Sequence, residues 1–302
     1  MKAPNNLDYA NDIDLFEEFV PQTRRYAEMD LEEIVDTLLN TLKPVADRLG
    51  PIREDTYAEK RLRLRAALNI LEPCHLQKES ADRLDRLLQA ELRESPIVTA
   101  SEIARQEGLE IEATRVTIFK ADITTLEIDA VVNAANNRLL GCFQPLHDCI
   151  DNAIHSKAGT RLRDDCYRIM QRQKHPEPTG TAKITRAYNL PSKFIIHTVG
   201  PIVQGKLTER HENELTRSYR SCLEICKSVE QIRGIAFCCI STGVFGYPPK
   251  QAAKTAFRTV CNWLRSHPGA LDTVVFNVFS EQDLEIYKAI AMEVTDDPRN
   301  DQ

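Results

Sequence analysis

The sequence has no run of about 18 consecutive apolar residues, the length that a helix needs to cross a bilayer. Its beginning, from Met1 to Tyr9, lacks the basic and then apolar pattern of a secretory signal. Long basic runs are also missing, so nucleic-acid binding has no electrostatic support. These absences predict a soluble cytoplasmic protein that acts neither at a membrane nor on nucleic acid.

The cysteine usage excludes a fully disulfide-bonded protein. The chain has nine cysteines, an odd number that cannot all pair within one molecule. Several lie in apolar context, such as Cys238 and Cys239 within the run Ile235 to Ile240. A reducing, intracellular compartment fits this usage best. Apolar residues make up 42% and charged residues 28% of the chain, which is the composition of a globular protein.

The length and the charge distribution both indicate that the chain consists of two parts. The chain has 302 residues, more than the usual length of one domain. Residues 1–110 carry 15 Lys and Arg against 23 Asp and Glu, a net charge of −8, whereas residues 111–302 carry 24 against 22, a net charge of +2. We therefore predict an N-terminal extension over residues 1–110, a second domain over residues 111–294 and a flexible tail over residues 295–302.

The N-terminal part shows only helical patterns. Apolar residues recur at helical spacing after Asp30, which with Glu33 forms a plausible N-terminal cap, and Ser80 is the predicted cap of a later helix. No strand pattern precedes Ile111. The predicted helices cover Asp30–Leu49, Tyr57–Leu71 and Ala81–Glu94.

Strand and helix patterns alternate after residue 111, which predicts an α/β fold with helices on both faces of the sheet. Such sheets bind ligands beyond the carboxyl ends of their strands. The predicted strands are Val116–Phe119, Ala130–Asn133, Ala182–Thr185, Phe194–Val199, Ile235–Ile240 and Val274–Phe279. The predicted helices are Ile150–Ala158, Arg161–Gln171, Glu212–Val229, Lys250–Arg265 and Gln282–Val294.

Three polar loops follow predicted strands. Asp122 offers a carboxylate to an exocyclic amine such as that of adenine, although an Asp that caps a turn is the alternative. The asparagines of Val131–Asn137 suit ribose hydroxyls, or they simply make a turn. The glycine-rich Ile240–Pro249 lets backbone N–H groups approach a phosphate before a helix. It matches neither a Walker loop nor the dinucleotide glycine pattern.

A cluster of metal-binding residue types follows the asparagines. Cys142, His147 and Cys149 form a C-x4-H-x-C pattern, and thiolate and imidazole are preferred zinc ligands. Three protein ligands leave one coordination position open, as in catalytic zinc sites. The alternative is that Cys149 packs on a helix face and His147 is an ordinary loop residue. One interpretation of Asp151 is that it orients a water near a metal. The alternative is that its carboxylate is stabilised by the positive end of the dipole of the helix that follows.

Taken together, these loops resemble the macrodomain family, whose members bind ADP-ribose on a three-layer α/β/α sandwich. The resemblance covers about residues 113–294. The matching segments are Asp122–Thr124, Asp129–Asn136, Leu190–Pro201 and Ser241–Pro248. One departure is Ala121, where the family usually has glycine.

The segment Cys142–Cys149 stands where hydrolytic macrodomains have a glycine-rich stretch, which is similar to the zinc-containing macrodomain subclass. That subclass removes mono-ADP-ribose from proteins, and the helical segment Arg61–Asn69 resembles its N-terminal extension. The resemblance implies a hydrolase with Zn²⁺ held by Cys142, His147 and Cys149. It implies a monomer whose partners are ADP-ribose and mono-ADP-ribosylated proteins. A non-catalytic reader of ADP-ribose and an O-acetyl-ADP-ribose deacetylase remain as alternatives.

The resemblance also assigns roles to single residues. Asp122 would hold adenine, Ile123 would supply a backbone contact, and Asn136 would bind the distal ribose. Asp151, acting with Asn136, would be catalytic by orienting or deprotonating the attacking water. The remaining residues expected to bind the ligand are Asn133, Ser241, Thr242, Gly243, Val244, Phe245, Gly246 and Tyr247.

The N-terminal extension contributes no ligand-binding motif of its own, yet its apolar helix faces must be buried. Its negative charge predicts docking against the second domain at an edge of the cleft, where it would restrict which modified proteins enter. The alternative is a helical scaffold without influence on substrate choice.

Overall fold

The structure is a computed structural model that describes residues 7–50 and 55–295, in two compact units. The first unit combines the described residues up to 96 with residues 138–175 and 185–190. The second unit combines residues 97–137 and 176–184 with the described residues from 191 onward. The predicted contiguous division at residue 110 stays a prediction, and the predicted tail, apart from Thr295, lies outside the described residues.

Each of the eight predicted helices has a counterpart at approximately the predicted position, and the described residues form two further short helices, Lys43–Ala46 and Ala100–Ala104. None of the helices in the described residues is long and apolar enough to span a membrane. In chain order the helices are α1 (Leu31–Thr41), α2 (Lys43–Ala46), α3 (Tyr57–Ile70), α4 (Lys78–Glu94), α5 (Ala100–Ala104), α6 (Ile150–Ala158), α7 (Thr160–Gln173), α8 (Glu209–Ser228), α9 (Pro249–Ser266) and α10 (Glu281–Thr295).

Two helix boundaries differ from the prediction for local reasons. The helix predicted from Asp30 to Leu49 ends at Thr41, because Pro44 has no backbone N–H and cannot continue it. Pro44 lies in the first turn of a separate short helix, α2. Asp30 does occupy the N-cap position, but its side chain makes no capping hydrogen bond. Ser80 lies inside α4 rather than capping it, since the helix already begins at Lys78.

The strands form one mixed seven-stranded sheet, which confirms the predicted α/β fold. The strands are β1 (Gly108–Ile111), β2 (Thr114–Lys120), β3 (Ala130–Ala134), β4 (Ala182–Arg186), β5 (Phe194–Thr198), β6 (Gly234–Phe237) and β7 (Thr273–Val278). Their order in the sheet is β1-β2-β7-β6-β3-β5-β4. The sequence missed β1, because this edge strand alternates only between exposed and half-buried residues and has no apolar run. Strand β6 ends at Phe237, three residues before its predicted end.

Parallel pairing sets the direction of the central strands. β2 pairs with β7, β7 with β6, β6 with β3 and β3 with β5, all in parallel, whereas β1 runs antiparallel to β2. The central strands are buried along almost their whole length, as in sheets that are covered by helices. Within the second unit, α8, α9 and α10 pack against strands of this sheet.

The first unit has its own apolar core, formed where α1, α3 and α4 pack together. Core leucines such as Leu38, Leu64 and Leu87 are fully buried. A buried ion pair joins α7 to α4, because Arg161 contacts both Asp82 and Asp85, with 2.8 Å between Arg161 Nε and Asp85 Oδ2. Burial raises the pKa of Asp85 although Arg161 opposes the shift, so the carboxylate depends on this arginine.

We expect Arg161→Ala to lower the free energy of unfolding by about 3 kcal/mol, because it leaves two buried carboxylates without their partner. Arg172→Ala is the matched control, since Arg172 also contacts two aspartates, Asp8 and Asp12, but both are exposed. Arg172→Ala should lower the free energy of unfolding by less than about 1 kcal/mol. Urea unfolding measures the free energy of unfolding of both variants. Equal losses would show that the buried ion pair stabilises the protein no more than the exposed one.

Candidate functional site

The loops that follow β2, β6 and β3 lie at one edge of the sheet. These strands are parallel, and the carboxyl ends of parallel strands meet at the same edge. Along this edge the order is the Asp122 loop after β2, the Ser241 loop after β6 and the Asn136 loop after β3. Neighbouring strands are about 4.8 Å apart, so the edge from β2 to β3 spans about 14 Å. An elongated ligand fits this arrangement better than a compact one.

Asp122 caps the turn that ends β2. Its Oδ1 accepts hydrogen bonds from the Thr124 backbone N–H at 2.9 Å and from Thr124 Oγ1 at 2.7 Å. This is the structural role that the sequence left as the alternative. Both bonds use Oδ1, and among the described residues no group donates to Oδ2. The next residue, Ile123, is buried.

A residue that the sequence did not single out, Asn277 on β7, fixes the start of this loop. Its Nδ2 donates to the carbonyl oxygens of Phe119 and Ala121 at 3.2 and 3.1 Å. The Ala121 backbone N–H in turn donates to the Val278 carbonyl at 3.2 Å. The loop therefore leaves the sheet in a fixed direction although Ala121 replaces the usual glycine.

Asn133 is fully buried in β3 and faces a buried histidine. The distance from Asn133 Nδ2 to His197 Nδ1 is 3.1 Å. Burial lowers the pKa of His197 to about 3, so its imidazole is neutral and Nδ1 accepts the hydrogen bond. Asn136, three residues later, is only half-buried at the end of the strand. Of the two asparagines, Asn136 is the one accessible to a ligand.

The Ser241 loop presents backbone N–H groups to solvent. Ser241 and Gly246 both have a φ of +68° and close the loop through a hydrogen bond from the Tyr247 N–H to the Ser241 carbonyl at 2.9 Å. The N–H groups of Gly243, Val244 and Phe245 donate to no group among the described residues. Helix α9 begins directly after the loop and adds the positive end of its dipole. This arrangement is typical of an anion-binding loop.

Glycine at position 200 permits the close approach of two loops at this edge. A Cβ at Gly200 would lie 2.0 Å from Ser241 Oγ, so no larger residue fits there. The Ser241 hydroxyl is buried and has no hydrogen-bond partner within the part of the chain that the structure describes. At Gly243, in contrast, a Cβ would meet no atom within 4 Å, so the chain itself does not require glycine there. The open space at Gly243 is available to a ligand.

The predicted metal ligands converge in the first unit. One side-chain atom from each of Cys142, His147 and Cys149 lies within 4.8 Å of the other two. Cys142 Sγ and His147 Nδ1 are 3.7 Å apart. In a tetrahedral zinc site with bonds of about 2.3 Å to sulfur and 2.0 Å to nitrogen, a sulfur and a nitrogen ligand lie about 3.5 Å apart and two sulfur ligands about 3.8 Å apart. The three side chains are half-buried, and their chemistry and spacing fit a zinc ion.

Cys149 is both a potential ligand and the N-cap of α6. Its Sγ accepts a hydrogen bond from the Asn152 N–H at 3.4 Å. Burial, with a smaller effect from the neighbouring Cys142, raises the pKa of the Cys149 thiol to about 12. A thiolate at this position therefore depends on a compensating positive charge.

Asp151 lies in the first turn of α6 and is buried. Asp151 follows Cys149 by two residues, and its negative charge contributes to the raised pKa of the Cys149 thiol. Asp151 Oδ1 lies 3.5 Å from Nε2 of His155, one helical turn later. His155 was not singled out from the sequence, although its i, i+4 spacing from Asp151 is a signal that links the two residues.

The structure thus gathers the predicted residues into two groups. Asp122, Asn136 and the Ser241 loop belong to the sheet edge of the second unit. The cysteine and histidine cluster and Asp151 belong to the first unit. Four residues of the site have roles that the sequence did not predict: Asn277, His197, Gly200 and His155. The first three contact residues that are distant in sequence. His155 contacts Asp151, one helical turn earlier.

The Macro domain family profile matches residues 132–256 of this chain. Two curated relatives carry the name protein-ADP-ribose hydrolase. The protein from Treponema medium is 45% identical over 236 residues, which cover 78% of this chain and 89% of that protein. The protein from Staphylococcus aureus strain MRSA252 is 50% identical over 179 residues, which cover 59% of this chain and 66% of that protein.

A solved structure of the Oceanobacillus iheyensis macrodomain with ADP is 36% identical to this chain. It superimposes with a TM-score of 0.57 and covers 63% of this chain and 96% of that one. The predicted macrodomain fold is therefore confirmed. Membership of the zinc-containing subclass stays a prediction, because these comparisons show the macrodomain family and name no subclass.

We expect Gly141→Ala to destabilise the protein more than an ordinary glycine substitution at positive φ. Gly141 has a φ of +84°, and an added Cβ would lie 2.8 Å from the His155 ring. Gly205→Ala is the matched control, because Gly205 has a φ of +87° but open space around it. Backbone strain alone costs about 1–2 kcal/mol. Urea unfolding should show a loss of stability of this size for Gly205→Ala and a clearly larger loss for Gly141→Ala. Equal losses in the two variants would contradict the close packing of Gly141 on His155.

Proposed function

This chain belongs to the macrodomain family, and on that premise we propose that it is a zinc-dependent hydrolase that binds ADP-ribose and removes mono-ADP-ribose from modified proteins. The hydrolase names of the relatives at 45% and 50% identity support the reaction class. The single observation that carries the metal dependence is the convergence of Cys142, His147 and Cys149. Recognition of ADP-ribose alone would need no such cluster.

The order of loops along the sheet edge supports ADP-ribose as the ligand. Adenine, diphosphate and distal ribose follow one another in this molecule, and the Asp122, Ser241 and Asn136 loops follow one another in the same order. Asp122 Oδ2 accepts a hydrogen bond from the exocyclic amine of adenine. The N–H groups of Gly243, Val244 and Phe245 bind the diphosphate, and Asn136 binds the distal ribose. Tyr247, Thr242 and Gly246 complete the diphosphate loop.

Cys142, His147 and Cys149 hold the zinc ion. When bound, zinc supplies either a Lewis acid that coordinates a ribose hydroxyl or a lowered pKa for a bound water. Three protein ligands leave the fourth position open for that purpose.

Asp151 acts as the base. Its carboxylate is buried in the first turn of α6, where the helix dipole favours its negative form. It accepts a proton from the attacking water as the water oxygen bonds to the anomeric carbon. The bond from that carbon to the modified side chain breaks, and the leaving side chain takes up a proton. His155, 3.5 Å from Asp151 Oδ1, holds the carboxylate in place.

We expect protein prepared without chelator to contain about one zinc per chain by elemental analysis. Cys142→Ala, His147→Ala and Cys149→Ala should each lose the zinc and abolish hydrolysis, because each removes one of only three protein ligands. Affinity for free ADP-ribose should largely survive, since the adenine and diphosphate loops lie on other residues. The substrates are proteins ADP-ribosylated on acidic, serine or arginine side chains, assayed with and without a chelator.

Three results would overturn this proposal in different ways. Variants that lose zinc but hydrolyse at the wild-type rate would make the metal structural. A wild-type protein that binds ADP-ribose but cleaves none of the substrates would be a reader, and one that cleaves only O-acetyl-ADP-ribose would be a deacetylase.

We expect Asp122→Ala to weaken binding of ADP-ribose by about 1–3 kcal/mol, because the buried amine of adenine loses its acceptor. Asp122→Asn separates this role from turn capping. Asparagine retains an oxygen that can accept the two bonds from Thr124 but places an amide donor where Oδ2 stood. Calorimetry should therefore show weaker binding for both variants, whereas only the alanine variant should lose thermal stability. Unchanged affinity in Asp122→Asn would refute the assignment.

A further inference from the structure

The loop that carries the candidate metal ligands is held by the N-terminal helix α3. Asn69, in the last turn of α3, accepts a hydrogen bond at its Oδ1 from the backbone N–H of Leu146 at 2.9 Å. The asparagine is 2% exposed, and its Nδ2 donates to Ser156 Oγ on α6 at 3.0 Å. Asn69 thus joins three elements of the first unit, one of which is the metal loop.

The contact falls on a residue with an unfavourable backbone conformation. Leu146 has a φ of +54°, a left-handed conformation that costs a non-glycine residue about 1–2 kcal/mol. Its side chain is 42% exposed, so burial of the side chain does little to impose this conformation. The next residue is His147, one of the three candidate ligands. The bond from Asn69 therefore acts on the backbone directly before a ligand.

A buried arginine holds the other end of the loop to the same helix. Arg163, on α7, donates from Nε to the Leu140 carbonyl at 2.9 Å. Its Nη1 donates to the carbonyls of Leu68 and Leu71, at the C-terminal end of α3, at 2.7 and 2.6 Å. The guanidinium carbon also lies 4.7 Å from the centre of the Phe143 ring, next to Cys142. The positive charge suits the negative end of the helix dipole.

A third link runs from α3 through α6. Arg65 Nη2 donates to Asn152 Oδ1 at 3.0 Å, and Asn152 Nδ2 donates to the Gln144 carbonyl in the loop at 3.1 Å. The Asn152 backbone N–H is the donor to Cys149 Sγ. The loop from Leu140 to Cys149 is thus fixed near its start, its middle and its end by groups that connect to α3.

We propose that α3 is part of the metal site and that Asn69 is a positioning residue that preorganises the loop for metal binding. The inference rests on the zinc site proposed above and extends it to the N-terminal segment. Without Asn69, Leu146 relaxes from its left-handed conformation, and the ligand-competent loop becomes a minor population. Apparent affinity falls in proportion to that population. Because Leu146 is exposed, its N–H can then bind water, and the fold survives.

The test compares Asn69→Ala with Ser156→Ala in the full chain. Each variant removes two side-chain hydrogen bonds, and one of these, Asn69 to Ser156, is the same in both. Only Asn69→Ala removes the bond to the metal loop. We expect Asn69→Ala to weaken zinc binding about tenfold in competition with a chromophoric chelator, as the loss of one hydrogen bond and its effect on the loop predict. Ser156→Ala should bind zinc as the wild type does.

Hydrogen exchange on chelator-treated protein gives a readout that requires neither bound metal nor enzymatic activity. We expect Asn69→Ala, but not Ser156→Ala, to speed exchange of the Leu146 amide and its neighbours. If Asn69→Ala does not fold, Asn69→Ser replaces it, because serine stays polar but is too short to reach the Leu146 N–H. Urea unfolding verifies that the compared variants have similar stability.

The outcomes separate this inference from the zinc site itself. Wild-type affinity for zinc and wild-type exchange in Asn69→Ala would overturn the positioning role and leave the zinc site standing. Equal losses of zinc affinity in the two variants would reduce Asn69 to a general structural role and also overturn it. A wild-type chain that binds no zinc would overturn the zinc site and, with it, the claim that α3 serves a metal, whatever the exchange data show.

Discussion

Parallel pairing of β2, β7, β6 and β3 places the carboxyl ends of these strands at a single edge of the sheet. Loops from distant parts of the sequence therefore meet there without any contact between their side chains being required. The order of the strands, which differs from their order in the chain, decides which loop lies beside which. It places the Ser241 loop between the Asp122 loop and the Asn136 loop, which is the order that the proposed binding of ADP-ribose requires.

The candidate metal loop is held by a different kind of interaction. Buried polar side chains, above all Arg163 and Asn69, bind its backbone and connect it to the end of α3. Burial of a guanidinium is costly unless its donors are satisfied, and Arg163 is stabilised by three carbonyl oxygens and an aromatic ring. Such contacts are directional, so they fix backbone conformation in a way that apolar packing alone does not. This directionality suits a loop whose three ligands must converge within a few ångströms.

These contacts also give the N-terminal segment a physical role. Its apolar helix faces are buried in a core formed by α1, α3 and α4, whereas the polar end of α3 is turned to the metal loop. The segment is thus bound to residues 138–175 within one compact unit. Its expected influence on which modified proteins enter the cleft stays a prediction, while its contact with the loop is a feature of the structure.

The sequence by itself determined most of the secondary structure, the α/β fold and the residue types of the candidate site. Helices such as α6 have periodic apolar faces, and the buried strands are apolar runs, so local pattern sufficed for them. It also pointed to the C-x4-H-x-C cluster, since three metal-binding residue types lie within eight residues. Edge strand β1 was missed because it is not buried and so carries no apolar pattern.

Only the tertiary structure decided how the site is held. Asn69 and Leu146 are 77 residues apart, and Asn277 and Ala121 are 156 apart. A single asparagine in a helix or strand has no local signature that names its distant partner. The left-handed conformation of Leu146 was equally invisible, because nothing in a leucine predicts a positive φ; it arises from hydrogen bonds that exist only after the chain has folded.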